Sequence, residues 1–354
     1  TSNTNYKELL KQVKIFDVKN IIISDPKIFL KVKILLKSKD INVYNNFESI
    51  HKIFKKDKID YTMSAISGFE GLKPTLDIIK FTKIIAIANK ESIICGWSLI
   101  NKSIKKNKVK FIPVDSEHFS IWSLMSKSSN TDIEKVFITA SGGPFNNLPF
   151  KKFKLIKLRE ALNHPSWSMG KKISIDSATM MNKVFEIIEA KKIFNFKYKQ
   201  IKIIVHPQSY VHAMIKFSNG LIKILVHETN MKIPIFNSLY PNFEKKITSK
   251  KINFDILNNL DFNKVDTKKF PVVKLINSLP HKESLYETVL VSANDRLVKH
   301  FLEKKIEFMD ISKFLLKIIK RKEFQKYKYK APINIDQIRS LNQYVSLKID
   351  NLCV

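Results

Sequence analysis

Cysteine is nearly absent. Cys95 and Cys353 are the only two in 354 residues and lie far apart in sequence, so no disulfide framework or thiolate metal site is legible, and a reducing compartment is the natural inference. A run of about 18 apolar residues, the length a membrane-crossing helix needs, is also missing. Even the stretch from Ile84 to Ile94 is cut by Asn89, Lys90 and Glu91, and no membrane partner is expected. The start, Thr1-Ser2-Asn3-Thr4-Asn5, has no initiator Met and none of the apolar core of a signal peptide. It reads as the start of a chain trimmed at its front. Arginine is confined to Arg159, Arg296, Arg321 and Arg339, although Lys and Arg together number 63 against 32 Asp and Glu, a formal charge of +31.

A basic surface of that size raises nucleic acid or an anionic membrane as a partner. The distribution argues otherwise. Lysines are scattered from Lys7 to Lys348 among abundant Ile, Asn and Phe, while the arginine fork that reads guanine and stacks on bases is almost missing. No specific nucleic-acid partner is expected. A genome rich in A and T, whose codons favour Lys, Asn, Ile and Phe, accounts for the charge as a surface of solvated lysines.

With 44% hydrophobic residues the chain can bury a full core and is expected to form two or three domains. Apolar β-branched runs at 21–23, 61–66, 84–88 and 109–114 each follow a lysine-studded amphipathic segment such as 6–16. That alternation predicts a parallel, Rossmann-like sheet over 1–112. Strands at 136–139, 201–205 and 221–226 and a long helix from Ser177 to Phe194 predict an α/β domain over 113–240. A polar linker over 241–270 and a helical domain over 271–354 follow, the latter from apolar stripes such as Leu285, Val289, Leu290, Ala293 and Leu297. No period of 20 to 50 residues repeats.

Five segments carry candidate chemistry. Pro113-Val114-Asp115-Ser116-Glu117-His118 sits at the carboxyl end of a predicted strand, where ligands gather in open α/β sheets. If the strand persists, Asp115 and Glu117 point to one face and can share a hard divalent cation; a solvated loop is the commoner reading. In Asp176-Ser177-Ala178-Thr179-Met180-Met181-Asn182-Lys183-Val184-Phe185-Glu186, helical spacing converges Asn182, Lys183 and Glu186. Ser177 is placed at the helix N-terminus, which favours a phosphate; an ordinary cap with a surface Lys-Glu pair competes. Thr139-Ala140-Ser141-Gly142-Gly143-Pro144-Phe145 puts a Gly-Gly pair after a strand, either an anion cradle or a plain turn. His164-Pro165-Ser166-Trp167-Ser168-Met169-Gly170-Lys171 is bounded by Pro and Gly, as a closing lid should be. Ala88-Asn89-Lys90-Glu91-Ser92 brings three polar groups to a sheet's carboxyl edge.

Taken in this order, and with His206-Pro-Gln-Ser209 and His212, these motifs resemble the 1-deoxy-D-xylulose 5-phosphate reductoisomerases, essentially over the whole chain. The resemblance implies a truncated NADPH-binding domain, a catalytic metal- and substrate-binding domain and a C-terminal helical domain. It implies an NADP-dependent oxidoreductase and isomerase of non-mevalonate isoprenoid biosynthesis, forming 2-C-methyl-D-erythritol 4-phosphate. Asp115, Glu117 and Glu186 would hold magnesium or manganese; Ser141, Ser177, Asn182 and Lys183 would seat the substrate's phosphate end. Lys90, Ser116, Glu117 and His164 match positions that touch the sugar backbone, and Trp167 and Met169 lie on the family's lid. Lys90 and His164 join the three acids as the catalytic set. Asn89, Glu91, Gly170 and Met231 match positions near the cofactor, and Asn3, Thr4 and Asn5 the stretch beside the adenosine ribose. The resemblance also implies a homodimer, in a bacterial cytoplasm or a plastid-like organelle.

The sequence departs from that pattern at its front. No Gly-rich loop of the Gly-x-Thr-Gly-Ser-Ile-Gly type is present, and Thr4 stands where a lysine is often found, which bears on recognition of the 2′-phosphate. Val184-Phe185 replace a common Gly-Leu, and Glu228-Thr229-Asn230-Met231 a Pro-Asp-Met run. An enzyme whose start lies upstream is preferred over an inactive remnant, because the metal, phosphate and lid motifs are all intact.

Overall fold

Strand–helix alternation demands crossovers, and crossovers demand parallel strands. The computed structural model, which describes residues 1–54, 58–125, 132–241 and 245–353, meets that demand. Near the front, β1 (Asn20–Ile22) and β2 (Asn42–Tyr44) pair in parallel, served by α1 (Tyr6–Ile15) and α2 (Pro26–Leu35). After α3 (Ile50–Ile53), β3 (Ile59–Ser64), β4 (Thr82–Ile87) and β5 (Lys110–Pro113) form a parallel sheet in that order, crossed over by α4 (Leu72–Ile79) and α5 (Lys90–Asn107). Both faces of β4 are covered from Ile84 onward, where its sequence is continuously apolar. Ile85 and Ile87 join the main core with Ile93, Ile94 and Ile100 of α5, while Ala86 faces Ile112 and Val114 on the other side.

The second sheet has the order β7-β6-β8-β9, from β6 (Ile133–Ala140), β7 (Ile201–Val205), β8 (Val211–Phe217) and β9 (Ile222–Val226). β6 and β7 are parallel; the other pairs are antiparallel. Between the sheets lies α6 (Ser116–Leu124), and between β6 and β7 lie α7 (Leu158–Leu162), α8 (Lys171–Ala178) and α9 (Met181–Phe194). The helix expected from Ser177 to Phe194 is thus two helices. Thr179 closes α8 by donating its N–H to Ile175, and Met180 adopts a left-handed φ of 64° that redirects the chain. The apolar periodicity runs straight across this break, so spacing could not reveal it. Ser177 consequently sits in the last turn of α8, not at a helix N-terminus.

Beyond α10 (Lys232–Leu239), residues 242–244 of the expected linker lie outside the described residues. The rest of that segment is tied to the second sheet. It contains α11 (Phe254–Asn258), its Asn263 pairs antiparallel with Val205, and Gln208 donates to Asp261 at 2.7 Å. The remaining chain is helical: α12 (Tyr286–Leu302), α13 (Phe308–Ile318), α14 (Lys322–Gln325) and α15 (Ile335–Cys353). The stripe from Leu285 to Leu297 is buried, and Asp350 of α15 receives both Arg296, at 2.5 and 2.7 Å, and His300, at 2.8 Å.

Phenylalanines join these parts. The Phe153 ring lies 6.0 Å from Phe145, 6.0 Å from Phe270 and 6.3 Å from Phe308. Phe308 in turn lies 5.1 Å from Phe145 and 5.9 Å from Phe301. One cluster thereby fastens the loop after β6 to α12 and α13. Phe153 is 2% exposed, so Phe153→Ala should cost about 3–5 kcal/mol of stability. Urea unfolding followed by circular dichroism measures it; a loss below about 1 kcal/mol would mean the cluster is not what joins these parts.

Candidate active site

The carboxyl ends of β4, β5 and β6 open onto a cavity of about 220 Å³ that α8 and α9 close from the opposite side. Such an edge collects the side chains that begin the following helices. Asn89 caps α5 by accepting the Ser92 N–H at 2.5 Å, and its amide donates to the carbonyls of Gly68, at 2.8 Å, and Ile66. With the helix start fixed in this way, Lys90 points into the cavity.

After β5 the strand does not persist through the acidic motif. Asp115 leaves the strand to cap α6, accepting the Glu117 N–H at 3.4 Å, and Glu117 lies in the first helical turn. The two carboxylates converge through a cap, not through the pleat of a strand. Glu186, one turn along α9 from Asn182, completes the group: oxygens of Asp115, Glu117 and Glu186 all lie within 4.8 Å of one another. A set of three carboxylates with no softer donor suits a hard divalent cation of the magnesium type.

Two ammonium groups share this space. Lys90 lies 2.8 Å from Asp115 and 3.5 Å from Glu186 and donates to Asn182 at 2.7 Å. Lys183 lies 2.7 Å from Glu186 and contacts Glu117. Asn182 donates in turn to Glu186 at 2.5 Å. Burial works against the charge on Lys90, but Asp115 and Glu186 outweigh it and hold its pKa well above the usual lysine range. Burial likewise opposes ionisation of Asp115, and Lys90 and His118 overturn it, leaving that carboxyl well below its ordinary value. At Glu117 burial wins: with Glu186 adding repulsion and Lys183 opposing, its carboxyl is pushed up to about 7. A divalent ion here would displace that proton and relieve the crowding of like charges.

The sequence did not single out a second layer. His118 is fully buried and donates from Nε2 to the Glu186 carbonyl at 2.9 Å, while Nδ1 faces Asp115 at 3.4 Å and Glu189 at 3.5 Å. Such a residue orients two of the acids at once. The spacing of Asp115 and His118, three apart in what proved to be a helix, was the available signal, and it is lost when the segment is read as a strand.

The other half of the cavity is built to meet an anion. Gly142 and Gly143 have φ values of 85° and 65°, and a Cβ on Gly143 would lie 3.0 Å from the Ser177 carbonyl, so only glycine allows this approach. Ser141 Oγ accepts the Gly143 N–H at 3.1 Å and meets His164 Nε2 at 3.0 Å. His164 Nδ1 accepts the N–H groups of Ser166 and Trp167 at 3.1 and 3.0 Å, which fixes Nε2 as the protonated nitrogen. Burial, helped by the Lys183 charge, lowers the His164 pKa to about 4, in keeping with a neutral ring. Both lone pairs of Ser141 are then engaged, and its O–H remains to be donated into the cavity.

Ser116, Ser177, Trp167, Met169 and Met231 also line the cavity. Trp167 meets the His212 ring edge-on at 5.9 Å, and His212 stacks on His227 at 3.7 Å. Asn3, Thr4, Asn5, Asn89, Glu91 and Gly170 do not line it. Asn5 caps α1, accepting from Glu8 at 3.4 Å, Gly170 begins α8, and Glu91 is buried against Lys172.

Residues 1–96 match the family described as 1-deoxy-D-xylulose 5-phosphate reductoisomerase, and residues 111–194 and 227–345 match two C-terminal domains of that enzyme. The reductoisomerase of Pelagibacter ubique is 62% identical over 355 residues, covering 100% of this chain and 92% of its own. That of Clostridium perfringens is 35% identical over 348 residues, covering 98% and 89%. The solved Zymomonas mobilis reductoisomerase in complex with NADPH superimposes with a TM-score of 0.85 at 29% identity, covering 99% of this chain and 90% of that one. A reductoisomerase in complex with NADPH, fosmidomycin and magnesium gives 0.89 at the same identity and coverage. The chain belongs to the 1-deoxy-D-xylulose 5-phosphate reductoisomerase family.

Proposed function

We propose that this protein carries out its family's reaction, the NADPH- and divalent-metal-dependent isomerisation and reduction of 1-deoxy-D-xylulose 5-phosphate to 2-C-methyl-D-erythritol 4-phosphate in isoprenoid biosynthesis. The observation that carries the reading is the meeting of Asp115, Glu117 and Glu186 within 4.8 Å beside an anion seat. A divalent ion held by these three would supply Lewis-acid polarisation of a substrate carbonyl, and NADPH the hydride.

The chain's own residues do the rest. Lys90, anchored by Asp115, Asn182 and Glu186, presents its ammonium charge to a substrate oxygen, and Ser116 lines the same cavity at the start of α6. Ser141 donates its free O–H to the phosphate, with Ser177, Asn182 and Lys183 around the same volume. Binding energy from this remote group orients the reacting carbons. His164, neutral and tied to Ser141, holds the entry of the 164–170 segment, while Trp167 and Met169 close over the substrate and exclude water. We assign Asn89, Glu91, Gly170 and Met231 to the cofactor side, and Asn3, Thr4 and Asn5 to its ribose. An inactive remnant is not favoured, since decay would spare neither buried lysine nor all three acids.

We further propose a homodimer, placed in the bacterial cytoplasm because the relatives named above are bacterial. Among the described residues β9 is an unpaired edge of its sheet, and it exposes Ile222, Ile224 and Val226 at 59%, 45% and 36%. An apolar edge of this kind is a template for pairing with a second copy.

Three outcomes follow. Magnesium or manganese at 100 times its dissociation constant should raise the melting temperature by about 3–5 °C, and Glu186→Gln should abolish that shift together with about 10³-fold or more of NADPH oxidation. A variant that keeps its metal-dependent turnover would refute the metal assignment. Ser141→Ala should raise KM for the sugar phosphate about 10- to 100-fold, the loss of one hydrogen bond to a charged group, and change kcat less; an unchanged KM removes Ser141 from the anion seat. Light scattering should find two chains per particle and one after Ile224→Lys; a monomeric parent protein would contradict the edge pairing.

A further inference from the structure

Lysine is a poor choice for the first turn of a helix, where the backbone N–H groups already present positive charge. Lys172 is nevertheless the second residue of α8. Three carboxylates explain its position: Glu91 at 2.5 Å, Asp176 at 2.9 Å and Asp295 at 3.0 Å from Nζ. These come from α5, α8 itself and α12. Asn294 of α12 donates to the far oxygen of Asp176 at 2.7 Å, and the Phe185 ring of α9 lies 5.2 Å below the ammonium. Glu91 and Asp176 are buried. Four helices thus meet at one charged group that belongs to none of the roles assigned above.

The two faces of α8 say what this junction controls. Residues 173 and 177, four apart, line the cavity, whereas 172 and 176, also four apart, enter the ion cluster. Rotating or sliding α8 moves both pairs together. Its first turn is also the exit of the 164–170 segment, whose entry is held at Ser141 by His164. On α5, the residue that grips Lys172 is the immediate neighbour of Lys90.

We propose that Lys172 is a positioning residue for this reaction: its ammonium, shared among Glu91, Asp176 and Asp295, sets the placement of α8, and with it Ser177 and the exit of the 164–170 segment, relative to Lys90. The inference rests on the reading that this segment closes over the sugar phosphate and that Ser177 helps seat it.

The test compares the parent enzyme with Lys172→Met, Lys172→Arg, Asp295→Asn and, as a control, Lys192→Met. Lys192 is a more deeply buried ammonium, 3.1 Å from Glu283 and 3.5 Å from Glu287, that links α9 to α12 away from the cavity. Steady-state kinetics and hydrogen exchange of residues 164–178, with and without 1-deoxy-D-xylulose 5-phosphate, are the readouts. Lys172→Met should lower kcat about 100-fold, the scale of a catalytic group displaced by an ångström, and abolish the substrate's protection of 164–178. Lys172→Arg should restore most of both. Lys192→Met should lower the melting temperature and change neither. Protection and kcat that survive Lys172→Met overturn the proposal, as does a Lys192→Met protein that reproduces the defect. Should Lys172→Met fail to fold, Asp295→Asn decides: it keeps the ammonium but removes the α12 carboxylate charge that holds it, so a fall in kcat with faster exchange at 164–178 is expected, and parental values refute it. A parent enzyme whose 164–178 amides gain no protection from substrate would instead defeat the underlying reading of the segment.

Discussion

Three carboxylates confined within 4.8 Å of one another in a largely buried site repel strongly, and no fold tolerates them without compensation. Lys90 and Lys183 supply it. Each ammonium bridges two of the acids, and Asn182 links Lys90 to Glu186. Three acids against two lysines leave one negative charge if all are ionised, and a divalent cation reverses that sign. A site that becomes positive on loading is matched to a substrate with an anionic tail, and the phosphate seat beside it adds hydroxyls, an amide and the Lys183 ammonium. The arrangement explains why two lysines are buried in a protein whose other lysines are overwhelmingly at the surface.

Most of the scaffold serves to hold these charges. α5 begins with Lys90, gives Glu91 to the junction around Lys172, and runs through the main core with Ile93, Ile94 and Ile100. α9 contributes Asn182, Lys183 and Glu186 toward the cavity and Glu189 toward His118, all buried. Polar residues on a helix that is otherwise fully buried are costly unless satisfied. Here Asn182, Lys183 and Glu186 each find a partner across the site, so the helix and the chemistry specify each other. The aromatic cluster around Phe153 then carries the helical segment up against the loop that holds Ser141.

Much of this was legible in the residues. The apolar run at 84–88 announced a strand buried on both faces, and Ala88-Asn89-Lys90 announced polar groups at its carboxyl end; both follow from local pattern alone. The three acids could be grouped only through the resemblance, because they lie on different elements and spacing cannot see across a fold. Local geometry misled in two places. Asp115 and Glu117 were expected on a pleated strand, yet Asp115 is a helix cap, a role its residue type favours as much as the other. Ser177 was placed at a helix start, yet the left-handed Met180 starts the next helix four residues later; a non-glycine residue in that conformation gives no sequence signal. His227 and the distant partners of Lys172, Glu91 and Asp295, lie beyond local spacing for a plainer reason: their meaning is in contacts between residues up to 123 positions apart, as from Lys172 to Asp295.

Position within the site, not the presence of its residues, is the claim on which everything else stands. Crystals of the protein grown with manganese and examined by anomalous scattering measure it directly. The account predicts one ion bonded to oxygens of Asp115, Glu117 and Glu186 together, with Lys90 and Lys183 moved off the carboxylates it occupies. An ion bound elsewhere, or held by the His118 and Glu189 side of the cluster without Glu117, would contradict it.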